Sequence, residues 1–113
     1  MPEKFKTAFV AHVPDADPVK HRCTITTSLC ELTSILVKND EEAMKVCQEL
    51  TQKEGVRAFV LCPGFTHQAI ARIVDALGKD VSVSVARGDG PSNRVAQKLM
   101  RAAGWFTQEG QPS

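Results

Sequence analysis

The sequence predicts an α/β fold: a single small domain with a mostly parallel four-stranded sheet and helices on both faces. Three observations carry this. Two runs, Phe5–Val13 and Val56–Leu61, are apolar on consecutive positions instead of alternating, as strands buried between helical layers are. Two segments repeat apolar residues at i, i+3, i+4 and i+7, namely Ile70, Ile73, Val74, Leu77 and then Ala96, Leu99, Met100, Ala103. From Leu32 onward, strand-like and helix-like segments alternate, the pattern of parallel strands joined by crossover helices.

Taken in order, Phe5–Val13 opens polar and centres on Phe9-Val10-Ala11, an interior strand that Pro14 ends. Asp15 to Cys30 is irregular, with Asp17 as cap and Pro18 as first residue of a single helical turn. A connection of this length is more often functional than ornamental. Leu32–Lys38 starts partly polar, which suits a strand at or near a sheet edge. Asn39 then caps a helix whose first-turn acids, Asp40, Glu41 and Glu42, complement its dipole. That helix places Ala43, Val46, Cys47 and Leu50 on one face and ends before Gly55. After Val56–Leu61, Pro63 and Gly64 make a turn, Thr66 caps the next helix and Gly78 stops it. Val81–Ala86 alternates strictly, as an edge strand does. Arg87-Gly88-Asp89-Gly90-Pro91 is a turn, Ser92 a cap, and the last helix runs to Gly104. The domain is expected over 1–106, with a mobile polar tail at 107–113.

The two most apolar strands belong at the centre, giving the order 2-1-3-4, a shortened flavodoxin-like sheet. A ferredoxin-like α+β arrangement is the alternative, because the first connection has no clear helix.

Composition narrows the function. A formal net charge of +1 and no basic run argue against nucleic-acid binding driven by phosphate neutralisation. No apolar run approaches the roughly 18 residues that span a bilayer, and the start carries no signal-peptide pattern, so a cytoplasmic protein without membrane contact is expected. In that setting Cys23, Cys30, Cys47 and Cys62 read as free thiols. His21, Cys23 and Cys30 match no zinc spacing. Neither GxGxxG nor GxxxxGK[ST] occurs, so no cofactor and no metal are expected.

In a doubly wound sheet the ligand crevice opens at the carboxyl ends of the strands where their order reverses. His12, the turn Cys62-Pro63-Gly64-Phe65-Thr66-His67, and Arg87 with Asp89 converge there. Gly64 admits an anion to the backbone, and Arg87 offers a planar fork to a carboxylate or phosphate. The competing reading of Arg87 is an ion pair with Asp89. Cys62 reads either as a thiolate stabilised by the helix N-terminus and by His67 or Arg87, or as a small hydrophobe completing the strand. His67, five positions on, is the expected base, although a histidine in a first helical turn is more often a surface residue.

The run Leu61-Cys62-Pro63-Gly64-Phe65 with Ala71-Arg72-Ile73, preceded by Pro14-Asp15-Ala16-Asp17-Pro18, His21-Arg22, Glu31-Leu32-Thr33 and Glu42-Ala43, resembles a family of small bacterial α/β proteins catalogued as a domain of unknown function. The resemblance extends to about Asp89. Its members carry Cys-Gly-Gly-Phe-Gly where this chain has Cys62 to Thr66, and Arg-Phe-Asp where it has Arg87 to Asp89. Cys62, Gly64, Phe65, Arg87 and Asp89 match. The resemblance implies the fold and the place of the site but no reaction.

Two functions follow as expectations. The first is a small-ligand domain holding an anion at the Cys62 to His67 turn, with Arg87 as counter-charge and His12, Gly64, Phe65, Thr66 and Asp89 around it. The alternative is an enzyme in which Cys62 attacks an electrophilic carbon with His67 as base. A homodimer through Trp105, Phe106 and the Val81–Ala86 edge is compatible with either.

Overall fold

A computed structural model describes residues 3–106; the expected polar tail lies outside them. Five strands form one mixed sheet: β1 (Phe5–His12), β2 (Arg22–Thr26), β3 (Cys30–Val37), β4 (Ala58–Leu61) and β5 (Ser82–Val85), in the order β2-β3-β1-β4-β5. The β1–β3, β1–β4 and β4–β5 pairs are parallel, whereas β2–β3 is antiparallel. The expected four-stranded sheet is thus corrected to five. The added strand falls in the stretch whose sequence is irregular, and Cys23 to Thr26 are all exposed, so no buried face imposes an apolar alternation there. Its presence moves β3 off the edge. Parallel pairing at the centre also excludes the ferredoxin-like alternative.

Helices α1 (Asp40–Glu49), α2 (His67–Leu77) and α3 (Gly90–Ala102) come after β3, β4 and β5. The Asn39 side chain caps α1 by accepting from Glu42 N–H at 2.9 Å, and Glu42 Oε1 accepts in turn from Lys38 N–H at 2.7 Å. At its far end α1 widens into a π-helical turn, Leu50–Glu54, closed by Gly55 at φ 73°, a left-handed conformation that glycine adopts without cost. Thr66 caps α2 by accepting from Ala69 N–H at 3.1 Å.

One face of the sheet makes the core. Val10, Ile35, Val37, Phe59 and Leu61 from the strands meet Ala43, Val46, Cys47 and Leu50 from α1 and its π turn, and Ala69 and Ile73 from α2. Side chains as completely buried as Phe59, Ile35 and Leu61 each contribute about 1.5–3 kcal/mol. α1 and α2 contact each other on this face. Helices were expected on both faces, and this is corrected: no residue of α3 is buried, and neither is any on the second face of the sheet. The i, i+3, i+4 stripe of α3 is present in the sequence, but the helix lies across the carboxyl ends of the strands.

Candidate functional site

β1 and β4 are adjacent and parallel, with Val10 opposite Leu61, so the residues just past each strand emerge at the same end of the sheet. Cys62 continues that register, its N–H donating to Val10 C=O at 3.0 Å. The His12 backbone N–H donates to Cys62 Sγ at 3.4 Å, and His12 Nδ1 lies 3.7 Å from the same sulfur. On the other side of the ring, Nε2 is 2.9 Å from Asp40 Oδ1. Asp40 is the first residue of α1, the helix after β3, and β3 flanks β1 with Val37 opposite His12. Three neighbouring strands therefore deliver a thiol, an imidazole and a carboxylate in line.

The carboxylate fixes the tautomer. Asp40 can only accept, so Nε2 carries a proton and Nδ1 faces the sulfur, accepting from a thiol or, once protonated, donating to a thiolate. The Phe65 ring packs on the imidazole with centroids 4.1 Å apart and holds it in place. Gly64 leaves the approach open: a Cβ there would lie 3.6 Å from His12 Nδ1 and 3.7 Å from Cys62 Sγ.

Both ionisations shift toward the charged pair. Half-burial of Cys62 disfavours its thiolate, but the His12 ring, the His12 backbone N–H and the Gly64 backbone N–H outweigh it and hold the thiol below its ordinary 9.0. His12 is raised above 6.5, by its hydrogen bond to Cys62 against the opposing effect of burial, and further by Asp40. Cys47 runs the other way: burial in the core pushes its thiol to about 12.

The pair opens into a cleft of about 650 Å³. Its floor includes His12, Cys62 and Gly64, and Lys38 stands on its wall. α3 supplies Asn93, Ala96, Gln97 and Met100, spaced i, i+3, i+4, i+7, and the chain beyond it closes back with Trp105 and Phe106. The two aromatics thus line the cleft.

A family model described as "Family of unknown function (DUF6506)" matches residues 5–101. The chain belongs to that family. The region shared with the family runs from the first residue of β1 into the end of α3, so it contains His12, Asp40, Cys62 and the α3 face of the cleft, while Trp105 and Phe106 lie beyond it. No curated protein and no solved structure matches the chain.

The residues singled out from sequence divide in two. His12, Cys62, Gly64 and Phe65 come together. Thr66 is spent on the α2 cap and His67 is exposed in the first helical turn, outside the cleft lining. Arg87 does not face the cleft either; its Nε donates to Asp89 Oδ1 at 2.6 Å, with the arginine side chain 88% exposed. The structure thus brings His12, and not His67, within reach of Cys62, and Lys38, and not Arg87, to the cleft. Sequence reasoning missed Asp40, Lys38 and Asn93. Asp40 sits among first-turn acids, where a carboxylate already has a reason to exist in the helix dipole.

Proposed function

We propose that this chain is a cysteine-nucleophile enzyme acting on a small substrate with an electrophilic carbonyl carbon. The observation that carries this is the alignment of Cys62 Sγ, His12 and Asp40, with the sulfur 3.7 Å from one ring nitrogen and the carboxylate 2.9 Å from the other. A nucleophile, a base within reach and a third group orienting the base is the arrangement that recurs on unrelated folds for acyl transfer.

In the proposed cycle Cys62 thiolate attacks the carbonyl carbon and forms a carbon–sulfur bond. The bond to the leaving group breaks, and that group departs with the proton from His12 Nδ1. His12 then takes a proton from water, whose oxygen attacks the thioester; the carbon–sulfur bond breaks, and the carboxylic acid leaves with Cys62 restored as thiolate beside protonated His12. Asp40 keeps the imidazole oriented and favours its protonated form throughout. A trapped water or an acceptor alcohol or amine distinguishes hydrolysis from transfer.

The test is intact-mass spectrometry and burst kinetics with activated esters and thioesters of graded size. One acyl group per chain, lost on Cys62→Ala, is expected. Absence of any adduct with acyl donors that alkylating reagents show to be able to enter the cleft contradicts the reading.

Lys38 on the cleft wall favours a second reading, a binding domain for a small carboxylate or phosphate. That role needs the cation and not the thiolate, so anion-induced thermal stabilisation then survives Cys62→Ala and is lost in Lys38→Ala. Four free thiols fit a reducing compartment, and we place the protein in the cytoplasm on that ground.

A further inference from the structure

Cys62 and Lys38 line the same cleft from opposite flanks of β1. In parallel register Val37 is level with His12 and Leu61 with Val10, so Lys38 follows β3 on one side of β1 and Cys62 follows β4 on the other. Two strand spacings put their backbones roughly 10 Å apart. Ala11 and Val13 line the cleft from the strand between them, and Met100, Trp105 and Phe106 face it from the far side. The volume of about 650 Å³ is that of a small-molecule site.

Among the described residues, and apart from the His12–Cys62 pair, Lys38 is the one charged side chain that lines this space, and no acid lines it. α3 adds only the neutral Asn93, Ala96, Gln97 and Met100. None of the ion pairs among the described residues engages the Lys38 ammonium. The acids that follow it in sequence are held elsewhere: Asp40 Oδ1 is 2.9 Å from His12 Nε2, and Glu42 Oε1 accepts from the Lys38 backbone N–H at 2.7 Å. A cleft with one uncompensated cation attracts an anion. Phosphate sites add backbone N–H groups from a glycine-rich turn or a helix N-terminus. Here the Gly64 N–H is already turned to Cys62 Sγ, and lysine by itself is a single point charge. The match is a carboxylate.

We infer that the substrate is an acyl donor whose acyl part ends in a carboxylate, with Lys38 as the residue that selects it, which rests on Cys62 acting in acyl transfer. The electrophilic carbonyl meets Cys62, an apolar spacer crosses the Ala11 and Val13 floor, and the carboxylate meets the Lys38 ammonium. The acyl part is the place for that anion. It stays bonded to Sγ between the two steps, so a contact with it serves both acylation and hydrolysis, whereas the leaving group departs after the first. Lys38 touches the far end of the substrate and neither the sulfur nor the reacting carbon. It is a specificity residue.

The N-iodoacetyl derivatives of β-alanine, γ-aminobutyrate and ε-aminocaproate carry a carboxylate on a lengthening spacer, and each has a neutral carboxamide counterpart. Their rates at Cys62 of the full chain at low salt, resolved by peptide mass spectrometry, read the contact without requiring turnover. For the spacer that fits, the carboxylate should react about three- to fivefold faster than its carboxamide. The preference should vanish in Lys38→Met with the neutral rate unchanged, and fade as salt rises. It should survive in Lys79→Met, which removes the same charge from an exposed position before β5. Half-thioesters of glutaric and adipic acid, compared with their monomethyl esters, then test turnover: Lys38→Met should raise KM for the acids and leave kcat unchanged. Equal rates for carboxylate and carboxamide at every spacer, or a preference that persists in folded Lys38→Met, overturns the inference and leaves acyl transfer standing. A Cys62 that alkylates with the preference but accepts no acyl donor of either charge overturns acyl transfer, and with it the assignment of the carboxylate to an acyl donor.

Discussion

Cys47 and Cys62 are the same side chain in two environments of one small fold, and they ionise in opposite directions. Cys47 sits between α1 and the sheet with no exposure, and burial alone pushes its thiol to about 12. Cys62 loses part of its hydration too, yet a ring nitrogen and two backbone N–H groups turn the balance toward the thiolate. Burial alone therefore suppresses the thiolate of Cys47, and burial accompanied by donors does not suppress that of Cys62. The donors that accompany it decide.

The largest expected effect is on the sulfur itself. Cys62→Ser should abolish labelling in the cleft by iodoacetamide at pH 7, while Cys47 stays unlabelled until the chain unfolds, as peptide mapping will show. Labelling of Cys47 in the folded protein at a rate comparable to Cys62 breaks the comparison.

Next is His12→Asn, which removes the ring nitrogen that favours the thiolate. It should slow alkylation of Cys62 at pH 7 by about an order of magnitude. Cys47, out of reach, should not change. Asp40→Asn should act in the same direction and less, by a few-fold, because the carboxylate works through the ring and is 40% exposed. The sign comes from His12, whose pKa Asp40 raises. Without that help the ring gives up its proton at lower pH, and the apparent pKa of Cys62 moves up.

The smallest effect is on the approach. Gly64→Ala sets a methyl at ordinary contact distance from both reacting atoms, and Gly64 has no left-handed φ to protect. The melting temperature should stay within about 2 °C, while bulky maleimides lose more rate than iodoacetamide does. Equal loss for both reagents means the methyl disturbs the pair and not the entrance.

Much of the framework was legible in the sequence for one reason: a residue buried on the helix-covered face must be apolar. Val10, Ile35, Phe59 and Ile73 declare themselves that way, and caps such as Asn39 and Thr66 arise from local chemistry. β2 stayed hidden because an exposed edge strand is held by backbone hydrogen bonds, which any side chain permits. The expectation of helices on both faces failed for a related reason. Of the stripe read from α3, Ala96 and Met100 line a cleft at the strand ends, whereas Leu99 is 66% exposed. At the site, Cys62 was legible from its place before a helix, but its partner was not. His67 is near in sequence, whereas His12 is near in space through the pairing of β1 with β4, and a pairing is a long-range fact that no window of sequence contains.

The most direct measurement is the pH dependence of Cys62 alkylation, resolved by peptide mass spectrometry, in wild type, His12→Asn and His67→Asn. Wild type should show an apparent pKa below 9.0, with a clear rise in His12→Asn and no change in His67→Asn. A Cys62 that reacts only on unfolding, or one whose pKa tracks His67 and ignores His12, contradicts this pattern.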